Sequence, residues 1–262
     1  MKEMTWKDFE TALLNTDAAI IPVGVIEHHG LHAPMGLDTF VAEEIAKRLS
    51  QNANALLVPV VNYGCLKVGK IATMWPGTIS ISPETMANLY SEIGTELARH
   101  GVKRIVFVNA HVGNGPALEI AISRIRDKTG AAVGILEWWA AAKEELKKYA
   151  METPFKADHA GEIETSMLFA SNGARFAKME RAVANPFPSP SELLSKEEYD
   201  MYMNGIKFVR AMDQRYLGAS GNYGDPKKAS AEKGDAIINA TVATGMTLLK
   251  ALSRYVGEIK KI

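Results

Sequence analysis

The chain is short of several things at once. It has one cysteine, Cys65, among 262 residues, so no intramolecular disulfide can close, which fits a reducing compartment. It has no excess of charge: thirty Lys and Arg offset thirty Asp and Glu, leaving no net field to gather nucleic acid or a membrane surface. Its first residues, MKEMTWKDFETALLNTD, lack the unbroken apolar stretch of a signal peptide or a membrane span. No fixed-period repeat is present, which excludes solenoids and propellers. No compositional break divides the chain, so residues 1–262 are read as one domain. A cytoplasmic protein with a small-molecule partner is the expectation these absences leave.

What is present is apolar residues, at 47%, enough for a substantial core. The runs AAIIPVGVIE, ALLVPVV, RIVFVNA and AAVGILEWW are of strand length and apolar on both faces, as strands of a parallel sheet are. Between them DTFVAEEIAKRLSQ, SPETMANLYSEIGTELARHG and NGPALEIAISRIRDKTG carry apolar residues at helical spacing. Ser82-Pro83-Glu84 has the N-cap serine and first-turn proline that open a helix, and Gly101 and Gly130 sit where left-handed caps close one. The alternation predicts an α/β fold. Further on, GEIETSMLFASNG reads as a helix, ANPFPSPSELLS as a surface excursion, and the last forty residues as a loop feeding a long helix.

Five of the six histidines fall in three short segments. The first strand runs into Glu27, His28, His29 and Gly30. Glu27 and His29, two apart in an extended segment, share a side, and Asp38 follows as the next helix begins. The third strand exits with Asn109 and His111 before Gly113 and Gly115. The third segment, ADHAGEIETS, holds Asp158, His159, Glu162 and Glu164. His159 and Glu162, three apart at a helix start, are expected to face one spot, with Glu164 turned elsewhere. His100, at a helix end before Gly101, reads as a cap that favours the helix dipole.

Any one of these histidines alone is more often a hydrogen-bonded structural residue than a ligand. Three clusters at strand ends, where open α/β sheets place their sites, change that. Burying carboxylates at apolar strand ends costs several kcal/mol unless a cation compensates. The donor set is oxygen and nitrogen without thiolate, which suits zinc, manganese or ferrous iron. Three carboxylates exceed what one divalent ion collects, so two ions with a bridging carboxylate are expected. Hydrolysis follows: two ions roughly 3.5 Å apart acidify a shared water and polarise a carbonyl, and His159 protonates the departing amine.

The stretch VGVIEHHGLHAPMGLD resembles the signature of the creatininase family of metal-dependent amidohydrolases, in words Glu-x-His-Gly-x-His-x-Pro-x-x-x-Asp. WPGTISISPET, VNAHVGNG, HAGEIETS and GDPKKASAEKG resemble its later blocks in the same order, over about residues 5 to 250. The resemblance implies a creatininase-like three-layer α/β/α sandwich around a mainly parallel sheet. It implies two divalent metal ions per subunit: Glu27 and His111 on one, His29 on the other, Asp38 bridging. It also implies a homo-oligomer, hexameric in relatives. Where creatininase itself is expected to carry a glutamate, this chain has Gly113, and Glu162 is read as the substitute ligand and a catalytic carboxylate. His159 matches the family's proton-transfer histidine, and Asp158 stands where a glutamate is usual and is grouped with the substrate-facing residues.

Substrate contacts are less defined. Asn109 and Asn114 are read either as substrate or ligand-supporting hydrogen bonders or as turn residues. His28 and His32 are read as supporting residues behind the ligands. One of Trp138 and Trp139 is a candidate flat wall, taken as Trp138, and Lys67 and Lys70 are candidate anion contacts. Creatininase-like relatives act on creatinine, a formylated pyrimidine ribotide, a peptide-derived cofactor precursor and a cyclic diketone such as a keto-inositol, so a cyclic amide is the first expectation and carbon–carbon hydrolysis or deformylation the alternatives. Two other classes are weighed: a metal or ligand binder without turnover, and a nucleotide-binding oxidoreductase. The latter is disfavoured because HVGNG lacks the G-x-G-x-x-G spacing and only Glu137 offers itself for a ribose.

Overall fold

The computed structural model describes residues 1–66, 75–149, 158–185 and 219–259. Lys67, Lys70 and most of the Pro/Ser-rich excursion lie outside them. Strand β1 spans Ala18–Val23, β2 Leu56–Leu57, β3 Arg104–Asn109 and β4 Ala132–Glu137. They form one sheet in the order β2-β1-β3-β4 with every pairing parallel. The helices are α1 Trp6–Leu13, α2 Leu37–Ala53, α3 Pro83–Arg99, α4 Gly115–Thr129, α5 Trp138–Ala141, α6 Lys143–Leu146, α7 Glu162–Phe169 and α8 Ala231–Ile259.

Alternation along the strands splits the core in two. Ala18, Ile20, Val106, Val108 and Leu136 point to one face, where Ile45 and Leu49 of α2, Met167 of α7 and Ile237 and Val242 of α8 meet them. Ala19, Ile21, Val23, Ile105, Phe107 and Val133 point to the other, against Met86 and Tyr90 of α3 and Leu118 and Ile125 of α4. Both faces being covered is why these strands read as unbroken apolar runs. The three-layer α/β/α arrangement is therefore as expected. α8 is long and apolar enough by composition to cross a membrane, but its Ile237, Ile238, Val242 and Leu249 are spent in this core.

Local signals set the element ends. Ser82 accepts the Thr85 N–H at 3.1 Å to open α3, and Gly130, at φ +68°, donates to Arg126 O to close α4. His100 caps α3 and packs edge-on against Phe9. Strands β1, β2 and β4 are shorter than their apolar runs. β2 keeps two residues because, after Val58 donates to Ile20 O, the next rung would need an N–H from Pro22, which has none. β4 stops at Glu137, and Trp138 begins a helical turn instead of extending the strand. β1 ends where the chain meets α2: a Cβ on Gly24 would stand 2.6 Å from the backbone N and Cα of Thr39. That contact brings the first turn of α2 over the exit of β1.

Candidate metal centre

The order β2-β1-β3-β4 reverses direction between β1 and β3, and the crevice beyond their carboxyl ends is where such sheets bind ligands. Glu27 to Gly30 leave β1 into this crevice and His111 leaves β3. Asp38, in the first turn of α2, is favoured there as a carboxylate by the helix dipole. Asp38 is 2% exposed and His29 1%. One Asp38 oxygen lies 3.2 Å from His29 Nε2 and the other 3.0 Å from His111 Nδ1. Glu27 Oε2 lies 3.3 Å from the same His111 nitrogen, and Glu164 Oε2 lies 3.8 Å from His29 Nε2.

These side chains form three groups compact enough to hold an ion: Glu27, Asp38 and His111; His29, Asp38 and Glu164; and Glu27, His29 and His159. The first two share Asp38. His29 Nδ1 stands 3.0 Å from Glu27 O, so in the neutral ring Nδ1 is the donor and Nε2 keeps its lone pair toward the carboxylates. That Nε2 is buried with no hydrogen-bond partner, as is His111 Nε2. Buried polar atoms are ordinarily paired. The unused His29 Nε2 lone pair beside three carboxylates, with His111 Nδ1 facing two of them and no thiolate present, fits divalent zinc, manganese or iron.

Protonation tells the same story when protons are the only counter-charge. Burial pulls the His29 imidazolium down, and Asp38, Glu164 and Glu27 more than offset it, leaving its pKa raised from 6.5 to about 10. Burial lifts Glu27 and Glu164, only partly countered by the neighbouring histidines. Burial also works to lift Asp38, but His29 and His111 on either side hold it below the ordinary carboxylate range. His159 is pushed well below 6.5 by burial, then by His29 and His28.

The third segment departs from the sequence expectation. Glu162 faces away and binds Lys233 Nζ of α8 at 2.6 Å, while Glu164 turns to the crevice. The i, i+3 rule that paired His159 with Glu162 holds only within a helix, and α7 begins at Glu162, after His159. Between them Ala160 sits at φ +50°, a conformation costing an alanine on the order of 1–3 kcal/mol. Asp158 is engaged in the turn, its Oδ2 accepting the Glu164 N–H at 2.8 Å.

Asn109 and Asn114 are both fully buried and are spent on the frame. Asn109 Oδ1 accepts from His111 N–H and from Asn114 Nδ2, while its own Nδ2 donates to Glu137 Oε1. Asn114 donates to Gly24 O and accepts from Cys65 N–H. Together they tie the exits of β1, β3 and β4 and fix the backbone under His111. Trp138 is also structural: it lies in the core with Nε1 3.4 Å from Ala110 O, edge-on to Trp139. His32 Nε2 bonds Thr165 Oγ1 at 3.0 Å, joining the β1 exit to α7.

Residues the sequence reading passed over complete the surroundings. Trp75 stacks on His28 at 4.2 Å and 11°, Thr78 Oγ1 accepts the His28 N–H, and Tyr223 exchanges two backbone hydrogen bonds with His159. Trp75 and Tyr223 lie in WPGT and GNYGD, aromatics beside turn glycines, which was the available signal. His159 stands 2.9 Å through Nε2 from His28 O, its ring 4.8 Å from that of His29.

The family model described as creatininase, creatinine amidohydrolase, matches residues 2–249. Creatinine amidohydrolase of Pseudomonas putida is 27% identical over 92% of both chains. A mycofactocin precursor peptide peptidase of Mycobacterium tuberculosis is 30% identical, covering 85% of this chain and 80% of its own. A 3-dehydro-scyllo-inosose hydrolase of Thermotoga maritima is 29% identical over 64% of this chain and 54% of its own. A crystal structure of creatininase superposes with a TM-score of 0.77 at 26% identity over 93% of each chain, and solved creatininases include Zn-Zn and Mn forms. On the match across nearly its whole length, the chain belongs to the creatininase family, among relatives that are hydrolases.

Proposed function

We propose that this chain is a hydrolase holding two divalent ions among Glu27, His29, Asp38, His111 and Glu164, and that it cleaves the carbon–nitrogen bond of a small cyclic amide. The observation that carries the reading is the pair of donor groups sharing Asp38. Ions bound there supply Lewis acidity toward a carbonyl oxygen and a water acidic enough to attack near neutrality.

The chain's own residues do the rest. Asp38 offers one oxygen to each donor group, so it sets their separation. The Glu27 carbonyl fixes the His29 ring so that Nε2 faces the carboxylates. His159 donates through Nε2 to His28 O, which in the neutral ring leaves Nδ1 able to take a proton. Burial keeps the ring neutral, so it enters the reaction as an acceptor and passes the proton to the departing nitrogen. The His28 ring, itself stacked on Trp75, meets the His159 ring edge-on at 5.0 Å.

A second reading has a specific basis. Leu31, two residues after His29, and Val112, next to His111, are 55% and 52% exposed, apolar side chains that suit an amide within a longer, partly apolar molecule such as a peptide end. A homo-oligomer working in the cytoplasm completes the proposal. The test is elemental analysis of the purified protein, then turnover of cyclic amides, formamides, short peptides and cyclic diketones with zinc or manganese added. Two equivalents of metal and turnover of a cyclic amide support the first reading. Turnover confined to peptides or diketones moves the scissile bond, and no turnover with metal bound leaves a non-catalytic relative.

A further inference from the structure

We propose that Asp158 is a positioning residue that sets Glu164 against the centre, resting as this does on the reading of Glu164 as a ligand. It governs the His29, Asp38 and Glu164 half of the site without touching ion or substrate.

Two hydrogen bonds cross the turn before α7 in opposite directions. Asp158 Oδ2 accepts the Glu164 N–H at 2.8 Å, and Glu164 Oε2 accepts the Ala160 N–H at 2.7 Å. The first places the Glu164 backbone and the second orients its carboxylate, so loss of the Asp158 acceptor releases both. Ala160, left-handed between the two, turns the chain back on itself so that residues 158 and 164 can meet.

The surrounding backbone is shaped to this one carboxylate. A Cβ on Gly161 would fall 1.8 Å from Asp158 Oδ1 and 2.7 Å from Tyr223 O. A Cβ on Gly224 would fall 2.7 Å from the same Oδ1. Two glycines thus leave the space that Asp158 fills. The backbone of Tyr223, paired with His159, closes the far side.

Asp158→Asn keeps the shape but turns an amide or a weaker acceptor toward the Glu164 N–H. The experiment titrates Mn²⁺ calorimetrically into the metal-stripped full-length protein, Asp158→Asn, Glu164→Gln and the double variant, with circular dichroism to verify folding. The expected result is that Asp158→Asn weakens one of the two ions by about 10- to 100-fold, the range for residues that orient metal ligands, and leaves the other unchanged. The double variant should bind like Glu164→Gln alone, since the two act through one group. Equal weakening of both ions, no weakening, or additive losses in the double variant would overturn the role of Asp158. A parent that binds no ion would instead overturn the metal reading beneath it.

Discussion

Asp38 stands between His29 and His111, one oxygen 3.2 Å from the first ring and the other 3.0 Å from the second. Asp38→Asn is therefore expected to release both ions together. Losing several kcal/mol of charge stabilisation at about 1.4 kcal/mol per tenfold should lower activity by roughly 10³-fold or more. Metal analysis after dialysis checks it: retention of either ion at parental level would mean that Asp38 does not bridge.

Glu162 and Glu164 should separate cleanly. Glu164→Gln is expected to weaken metal binding. Glu162→Gln should keep both ions and cost about 0–1 kcal/mol, the range for a partly exposed ion pair, through loss of Lys233. Parallel metal titrations and melting curves decide it, and the reverse outcome would restore Glu162 as the ligand.

His159→Gln should retain the ions and lower turnover by about 10²- to 10⁴-fold, the usual share of a general acid or base. Parental turnover in this variant would remove His159 from proton transfer.

The metal-stripped protein should lose stability as pH rises above about 6.5, below which His28, His32 and His159, their pKa values lowered by burial, act the other way. His29 is raised from 6.5 to about 10, so its contribution is complete below 6.5 and disappears as pH climbs through about 10. Glu27 and Glu164, also raised, act in the same direction from lower pH. Asp38, held low, acts oppositely and is felt only in acid. Melting temperatures of stripped and manganese-loaded protein across this window check the sign: the stabilisation by metal should widen as pH rises.

Trp138→Ala should cost about 3–5 kcal/mol as a core truncation. In Trp138→Phe, which keeps most of the volume, KM should be unchanged. A raised KM in the phenylalanine variant, with stability intact, would return Trp138 to the substrate pocket.

The sheet was legible because its strands are covered on both faces and so carry apolar residues at nearly every position, with capping serine, proline and glycine marking the helices. That Glu27, His29, Asp38 and His111 gather at one place was legible because each lies near the end or start of such an element. The Glu162 and Glu164 assignment was not, since it turns on one left-handed alanine, and alanine carries no signal for that conformation. Trp138 lies in a helical turn because the strand ends two residues before its apolar run does. The Trp75 and His28 stack joins segments 47 positions apart in the chain, which no local pattern encodes.

Gly24 gives the molecule a point of remote vulnerability. It lies outside every donor group, yet the missing carbon on it is what lets Thr39, next to Asp38, ride against the first strand. A single methyl there would push back the start of the helix and carry Asp38 off both imidazoles at once. Changes that disrupt this centre therefore need not strike any of the proposed ligands.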